Sequence, residues 1–464
     1  MVSIGFVYFC SVIKNNYELQ NDGTMKNILS KRTFIVLPLF LFSLHPLWGQ
    51  KSNFKNDICI PGKLYMLSDI RNDVFVEALI KRWRPYNDFV RFSGDCVYSR
   101  KLNRVASVDT PVDGSNMKIE LVNSDEFEII KEKAISICVG KKGIGTQEVT
   151  VQILGDSFVN GAFFRDALLS KNYIPGIKLV GLRNIKNEEG QYDEGRGGWT
   201  VKKYFEIPKG EMTSYHGYMQ PVGEYRYWGS CEFWKNCYKV INGELTDTEI
   251  VYNCGRYDQC ITKFDKETGY LAAPKKNDLM YDNARGSYMV YTGKKWKNVE
   301  VDERKWAFNY RKYLDMWNLD APKFFAQMLG LNDYRDSLTA DYREWNKKIA
   351  EMKESYYKAV PDGKFIILIP CTTCGSLNNV RGDFTLRQNA SMWQLRKNII
   401  DTFDGRESEG YYVVDIGITI DNEKGYNRNR DGIQTGNPDT KTPLGIFLPP
   451  PVRSGSAAHG SGKG

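Results

Sequence analysis

The hydrophobic pattern of the chain changes character at Val149. Between residues 55 and 148, short apolar stretches such as Lys63–Leu67 and Met117–Val122 are separated by Pro, Gly, Asn and Asp residues. Short strands bounded by turn residues are typical of β-rich domains, and no long segment of this region has helical periodicity. The pattern therefore predicts a small β-sandwich domain over residues 51–148.

After Val149, apolar runs of strand length alternate with helical segments. The strand-like runs are Val149–Leu154, Ile177–Leu182, Lys323–Leu329, Lys364–Ile369 and Tyr411–Ile418. Two of the segments between them carry apolar residues at spacings of three and four, so each set lies on one face of a helix. The two sets are Tyr342, Trp345, Ile349, Met352 and Tyr356, and then Met392, Leu395, Ile399 and Phe403.

This alternation predicts an α/β domain over residues 149–445, with helices on both faces of a parallel sheet. In such domains the ligand site lies at the carboxyl ends of the strands. Residues from about 203 to 310 interrupt the alternation and are rich in Tyr, Trp, Gly, Asn and Asp, as in Tyr225–Trp234. Two interpretations of this insertion stay open: a substrate-binding lid over the sheet, or a subdomain packed by its own aromatic residues.

The two ends of the chain have patterns of their own. Met25–Arg32 is basic, Thr33–Leu44 is apolar and Pro46–Gln50 is a more polar end, which together form a secretory signal. We therefore expect residues 1–50 to be an extension and signal peptide with the true start at Met25, and the protein to be secreted or periplasmic. The apolar run is too short to span a bilayer. Residues 446–464 predict a flexible tail.

Composition narrows the class of function. The formal net charge of +8 is spread along the chain, without the concentrated basic stripe that a nucleic-acid groove needs. The chain contains 28 Tyr, 23 Phe and 10 Trp, a surplus that either fills a core or stacks against sugar rings. We therefore expect no nucleic-acid partner and keep carbohydrate as a candidate ligand.

Cysteine spacing leaves several pairings open. Export makes disulfides possible, and Cys231/Cys237 and Cys254/Cys260 repeat one spacing that suits local bridges. A zinc site from these four is the alternative, although the usual gap between zinc ligands is two to four residues. Cys371 and Cys374 have the spacing of a redox pair but follow a strand instead of opening a helix, so this signal is weak.

Three separate segments carry candidate chemistry for acyl transfer. Gly155-Asp-Ser157 follows a strand and precedes a helix, Gly195–Thr200 is a glycine-rich turn, and Gly330–Asp333 follows another strand. Acyl transfer needs a nucleophile and donors aimed at the developing oxyanion. Ser157 supplies the nucleophile, and its backbone N–H, that of Gly198 and the Asn332 amide are the candidate donors. The first segment is not the Gly-x-Ser-x-Gly elbow of α/β-hydrolases, because residue 159 is Val.

In this order, and each at a strand end, the segments resemble the first three blocks of the SGNH (GDSL-type) hydrolase family, over roughly residues 149–437. The resemblance implies a flavodoxin-like three-layer α/β/α fold that cleaves esters of lipids or acylated carbohydrates without a cofactor or metal. It implies that Ser157 is the nucleophile and that Gly198 and Asn332 complete the oxyanion hole. The β-rich front domain is similar to that of secreted bacterial members thought to act on glycans.

The general base is where the sequence departs from the family. The family's last block, Asp-x-x-His, implies an orienting role for Asp431, but Gln434 stands where the histidine is expected. Glutamine cannot serve as a base near neutral pH. His216 in the insertion and His459 in the tail are the other candidates. The hypothesis is a secreted serine esterase that removes acetyl groups from carbohydrates; the alternatives are a catalytically impaired glycan-binding protein and a lipid esterase.

Overall fold

The structure is a computed structural model of the whole chain. It describes residues 56–68, 70–76, 79–81, 88–95, 97–100, 104–123, 127–140, 148–160, 176–184, 191–370 and 386–419. Several of the predictions above lie outside the described residues. These are the signal region, the tail, Asp431, Gln434, His459, Cys371 and Cys374.

The described residues contain nineteen strands. In chain order they are β1 (Lys63–Leu67), β2 (Asn72–Phe75), β3 (Asp88–Gly94), β4 (Val97–Arg100), β5 (Val105–Val108), β6 (Asn116–Asn123), β7 (Ile129–Gly140), β8 (Val149–Gly155), β9 (Ile177–Leu179), β10 (Glu194–Gly195), β11 (Met219–Pro221), β12 (Arg226–Ser230), β13 (Asp278–Asp282), β14 (Ser287–Tyr291), β15 (Trp296–Val299), β16 (Trp306–Phe308), β17 (Phe324–Met328), β18 (Lys364–Ile369) and β19 (Tyr411–Asp415).

Eight α-helices lie in the same described part of the chain. They are α1 (Ser157–Asn160), α2 (Cys231–Ile241), α3 (Thr248–Cys254), α4 (Asp258–Ile261), α5 (Tyr310–Trp317), α6 (Leu331–Tyr334), α7 (Arg343–Ala359) and α8 (Leu386–Phe403). Short 3-10 helices cover Lys202–Phe205, Glu303–Lys305, Glu407–Glu409 and Gly417–Thr419.

The front region is built from two sheets. One has the order β1-β7-β6-β3 and the other the order β2-β5-β4. In β6, Met117, Ile119 and Leu121 are buried at every second position, as expected for a strand with one face on a core. The β-rich character of the region is thus confirmed, while its boundaries as a separate sandwich domain stay a prediction.

The parallel sheet after Val149 is also confirmed. Its order is β10-β8-β17-β18-β19, with β9 beside β8, and every pairing in it is parallel. All five residues of β17 are buried, which explains why this strand is an unbroken apolar run in the sequence. The molecule is therefore a mixed α/β protein with several sheets.

Both predicted helical stripes pack into the core. In α7 the buried residues include Trp345, Ile349 and Met352, whereas the predicted stripe member Tyr342 precedes the helix as its N-cap. In α8 the four predicted residues are all buried: Met392, Leu395, Ile399 and Phe403. Burial of such a face is the main source of a helix's stability in a folded protein.

The insertion buries its aromatic residues. It forms the sheet β12-β13-β14-β15 and the two-stranded sheet β11-β16. The ring of Trp234 stacks on Phe264 with centroids 4.0 Å apart, and Tyr215 and Trp317 contact Trp234 from other sides. Because Trp234, Tyr215 and many other rings here are fully buried, most of the aromatic surplus in this segment fills a core.

Candidate active site

The three candidate segments meet at one edge of the parallel sheet. Strand β8 lies between β10 and β17, and Gly155 at its end is in register with Gly195 on one side and Met328 on the other. The chain leaves β8 toward β10 and returns on the opposite side to β17, so the carboxyl end of β8 is a switch point of the strand order. Ligand sites of open α/β sheets lie at such points.

A buried tyrosine holds two of these strand ends together. The hydroxyl of Tyr204 lies 2.8 Å from the carbonyl oxygen of Gly155 and 2.7 Å from that of Glu194. The backbone N–H of Arg196 also donates to the Gly155 carbonyl, at 2.9 Å. The ends of β8 and β10 are therefore fixed relative to each other before any ligand arrives.

Ser157 is the first residue of α1 and is half-buried. Within the described part of the chain, its hydroxyl has no hydrogen-bond partner, and its backbone N–H donates to no acceptor. A hydroxyl that is accessible and unengaged is able to approach an electrophile. The N–H beside it is free to stabilise the charge that develops there.

Gly198 occupies a left-handed position in the glycine-rich turn. Its φ is +74°, and the N–H of Trp199 closes the turn on the carbonyl of Arg196 at 3.2 Å. The N–H of Gly198 donates to none of the described residues. The positive φ explains the glycine, because other residues adopt this conformation only at a cost.

The Asn332 side chain links the three segments. Its Nδ2 donates to the backbone carbonyl of Trp199 at 3.1 Å and to Oδ2 of Asp156 at 3.3 Å. An amide nitrogen carries two hydrogens, so both already have protein acceptors. Asn332 is brought to the predicted place, and it can serve an oxyanion only by sharing or releasing one of these bonds.

Two carboxyl groups support this arrangement and are not among the residues predicted from sequence. Asp156 accepts from the N–H of Phe158 at 3.1 Å as well as from Asn332. Both carboxylate oxygens of Asp333 accept from the N–H of Val201, at 3.0 and 3.2 Å. Each carboxyl thus ties one candidate segment to another or to its own helix start. The signal was present in the Gly-Asp-Ser and Gly-Leu-Asn-Asp segments, whose acidic residues adjoin the predicted site residues.

Burial raises the pKa of both carboxyl groups. The pKa of Asp156 rises to about 7, against the opposing hydrogen bond from Phe158, and the nearby Asp333 adds to the rise. The pKa of Asp333 rises to about 6 because of burial, against the opposing N–H of Val201. Strongly shifted carboxyl groups beside an unengaged nucleophile are a recurring feature of functional sites.

His216 is not available as a base for Ser157. The Nδ1 atom of His216 accepts from the N–H of Tyr218 at 3.2 Å, so the ring proton lies on Nε2, which donates to the Glu206 carbonyl at 3.0 Å. Burial and the nearby Arg196 lower the pKa of His216 to about 3. Its ring lies edge-on against Trp199 with centroids 5.7 Å apart, so it supports the glycine-rich turn as a neutral packing residue.

The described residues contain no other histidine. Two further candidates lie outside them: His459, which would accept the serine proton, and Asp431, which would orient the base. Within the same residues, no group of three or more His, Cys, Asp or Glu side chains is placed to hold a metal ion. No helix in the described ranges is both long and apolar enough to cross a membrane.

A pocket of about 330 Å³ lies beside the Asn332 segment. It separates the 3-10 helix Lys202–Phe205 from α7, and its lining mixes rings with charges of both signs. Phe205 and Tyr334 contribute aromatic surface, while Lys348 lies over the Phe205 ring at 4.3 Å from its centroid. Its volume falls in the usual range for small-molecule sites.

Comparison with known proteins assigns no family. No family model matches the chain, and no curated protein matches it. A solved structure that matches is a candidate alpha-galactosidase/melibiase from Bacteroides fragilis, with 8% sequence identity and a TM-score of 0.17. The alignment covers 68% of this chain and 52% of that one, so the chain spans about half the length of that protein. At this TM-score the likeness carries no argument about fold or activity.

The predicted membership of the SGNH hydrolase family is therefore wrong. No family model matches the chain, that of the SGNH hydrolases included. The motif resemblance rested on three short segments, and short segments recur at strand ends in unrelated proteins. The roles of Ser157, Gly198 and Asn332 consequently depend on their geometry alone.

Proposed function

We propose that the protein is a serine hydrolase that acts on esters. Ser157 Oγ attacks the acyl carbon, and the N–H groups of Ser157 and Gly198 donate to the oxyanion that forms. One observation carries the proposal: an unengaged hydroxyl and two unengaged N–H groups come from adjacent strand ends that are in register at Gly155. Such preorganised donors are among the largest contributions to acyl-transfer catalysis.

Asn332 is the third donor in this proposal. Its longer bond, at 3.3 Å to Asp156, is the one that yields when the oxyanion forms, whereas the 3.1 Å bond to Trp199 keeps the side chain in place. A full negative charge competes well against a carboxyl group that is partly protonated near pH 7. Asp156 thereby acts as a positioning residue for the amide.

The reaction also needs a general base, and the described residues contain no histidine available for this role. General-base catalysis needs a group within hydrogen-bond reach of the serine hydroxyl. His216 is excluded by its two backbone hydrogen bonds. His459 remains as the candidate base, with Asp431 as the residue that would orient it, and both lie outside the described ranges.

We infer an acylated carbohydrate as the substrate and acetyl as the acyl group, with the protein exported by its signal sequence. The pocket beside Asn332 supports this choice, because it offers ring surface and polar groups of both signs. We also infer a three-layer α/β/α arrangement for residues 149–445. Right-handed crossovers on the two sides of β8 would place helices on opposite faces of the sheet.

The test is hydrolysis of a small acetyl ester by the intact protein and by Ser157→Ala. We expect Ser157→Ala to lose at least 10³-fold in kcat, with the fold unchanged by circular dichroism. Acetyl esters should be hydrolysed faster than long-chain esters. The reverse order would indicate a lipid esterase. Equal, slow hydrolysis by the intact protein and the variant would refute the proposal that the protein is a serine hydrolase.

A catalytically impaired glycan-binding protein is the second candidate. The observation that favours it is the neutral, fully engaged His216, which leaves Ser157 without an imidazole in the described residues. This candidate predicts binding of acetylated oligosaccharides in isothermal titration together with the equal, slow hydrolysis described above. Replacement of Phe205 by Ala should then weaken binding, since the ring lines the pocket.

A further inference from the structure

Three buried cysteines lie together on the helices of the insertion. Cys237 is on α2, Cys254 ends α3 and Cys260 is on α4, and their exposed fractions are 0%, 0% and 1%. The local bridge between Cys231 and Cys237, one of the pairings that the sequence leaves open, does not fit the structure. Both residues lie on α2, six positions apart, and a helix rises about 1.5 Å per residue, so their Cα atoms are too far apart for a disulfide.

The thiol of Cys254 faces α2. Its Sγ lies 3.9 Å from the carbonyl oxygen of Phe233. In α2 that carbonyl is four residues before Cys237, so it accepts the N–H of Cys237 in the helical pattern. The thiol of Cys254 therefore lies beside the turn of α2 that ends at Cys237, within hydrogen-bond reach of the Cys237 thiol, and both are free thiols in the structure.

Helix α3 contacts two segments of the candidate active site through Tyr252. The hydroxyl of Tyr252 on α3 accepts from Nδ2 of Asn160 in α1 at 2.5 Å. The same hydroxyl lies so close to Gly197 that a Cβ there would come within 1.7 Å of it. The position of α3 consequently determines how the Ser157 helix and the glycine-rich turn sit relative to each other.

We propose that Cys237 and Cys254 form a disulfide bond that locks α3 to α2 and thereby holds the scaffold behind Ser157 and Gly198. The bond closes a loop of the insertion, which limits the unfolded chain and stabilises the folded one. The bond itself does not depend on the proposed esterase activity; only its effect on turnover rests on that function.

The chemistry requires a disulfide oxidant, such as oxidised glutathione. One protein thiolate attacks the oxidant to give a mixed disulfide, and the second thiolate displaces the remaining glutathione. Two thiols of the protein lose two electrons and two protons, and the oxidant leaves as two molecules of glutathione. Burial raises the pKa of the Cys237 thiol well above its usual range. Exchange in the folded protein is therefore slow, and the bond forms before the insertion closes.

The deciding experiment is peptide mapping of the intact protein, folded with oxidised glutathione and digested without reductant. We expect a cross-linked peptide pair that joins Cys237 to Cys254. A pair that joins Cys254 to Cys260, or alkylation of both Cys237 and Cys254 after denaturation, overturns the proposal. Neither result depends on esterase activity, so failure of the disulfide and failure of the enzyme are distinguishable.

Matched variants give a second readout. Free thiols counted in denaturant without reductant should rise by one in Cys237→Ala, because Cys254 loses its partner, and fall by one in the control Cys231→Ala. Reductant added during unfolding should lower the Tm of the unmodified protein and of Cys231→Ala, but leave that of Cys237→Ala unchanged. An equal thiol change in the two variants would contradict the assignment.

Discussion

At the scale of single residues, the candidate site depends on one amide that has two tasks. Asn332 joins the turn at Trp199 to the end of β8 through Asp156, and in the proposed reaction it also binds the oxyanion. The two hydrogens on Nδ2 of Asn332 thus serve both the folded structure and the proposed catalysis. A substitution at this position should therefore affect stability and turnover together.

We expect Asn332→Ala to lower kcat on an acetyl ester about 10²- to 10³-fold, the usual effect of removing one oxyanion donor. Its free energy of unfolding should fall by about 1–3 kcal/mol, because the Asp156 carboxyl loses a buried partner. The measurements are steady-state kinetics and denaturant unfolding.

Asn346 offers the matched control for this variant. It exchanges amide hydrogen bonds of 3.0 and 2.8 Å with Asn398, between α7 and α8 and outside the site. Asn346→Ala should lose stability of the same order and keep its kcat. If both variants lost kcat equally, Asn332 would have no special role in the reaction.

Asp156 should make the stability of the protein depend on pH. Burial raises its pKa from 3.8 to about 7 in the folded state. A carboxyl group with a raised pKa stabilises the fold fully below its unfolded pKa, and this contribution is lost as the pH rises through the folded pKa. We expect stability to fall between about pH 4 and pH 7, and the fall to be smaller in Asp156→Asn by on the order of a few kcal/mol.

Thermal unfolding at several pH values across this window measures the difference. Asp333 also has a raised pKa, so part of the decline should remain in Asp156→Asn. Asp302 is the control, because this half-buried carboxyl lies outside the site, pairs with Arg304 and has a lowered pKa. Asp302→Asn should follow the unmodified protein, and an unchanged slope in Asp156→Asn would show that Asp156 is ionised throughout.

At the scale of elements, the conformation of the glycine-rich turn leaves the N–H of Gly198 available as a hydrogen-bond donor. Gly198 has φ +74° and open space where a Cβ would lie. Replacing it by Ala should therefore cost conformational energy without a steric clash, about 1 kcal/mol. The expected functional effect is a loss of kcat, because Ala disfavours the positive φ that presents the N–H of residue 198 to the oxyanion.

Gly243 is the matched position for this prediction. It has φ +76°, equally open space, and lies just after α2, in the exposed part of the insertion. Denaturant unfolding should show similar losses for Gly198→Ala and Gly243→Ala, while only Gly198→Ala should lose kcat, by tenfold or more. Equal activity in the two variants would remove Gly198 from the proposed oxyanion site.

Elements also show how far the sequence alone leads. Strands β8, β17 and β18 and the buried faces of α7 and α8 were predictable, because their apolar runs and spacings are local. The sheet β12-β13-β14-β15 was not, since its strands alternate poorly and its aromatic residues pack across long sequence distances. The three strand-end segments were predicted to converge, but the family inferred from them was wrong.

The electrostatic properties of the site were beyond prediction for a related reason. The raised pKa of Asp156 and the lowered pKa of His216 both come mainly from burial. Burial is set by elements far away in sequence, such as the 3-10 helix Lys202–Phe205 and the insertion. A sequence motif identifies the residue, whereas the folded structure determines its protonation state.

At the scale of the whole molecule, the front sheets and the parallel sheet form one continuous core. Strand β1 lies near β19, at the edge of the sheet farthest from β10. The indole Nε1 of Trp393 on α8 donates to the Leu79 carbonyl at 3.2 Å, and the Gly62 N–H donates to Asp404 at 2.7 Å. Buried residues from both regions belong to one hydrophobic cluster, so the two regions pack against each other.

This shared core predicts that both regions unfold in a single transition. We expect calorimetry to give one peak with equal calorimetric and van't Hoff enthalpies.

Asp404→Ala removes the acceptor of the Gly62 N–H and should lower the free energy of unfolding by about 1–3 kcal/mol while the single peak remains. Asp401→Ala is the control. Asp401 lies in the last turn of α8 and pairs with Lys397 at the surface, so its loss should change stability little. Two resolved peaks, or an Asp404→Ala effect confined to one of them, would mean that the front sheets fold as an independent unit and that their contact with β19 adds no cooperativity.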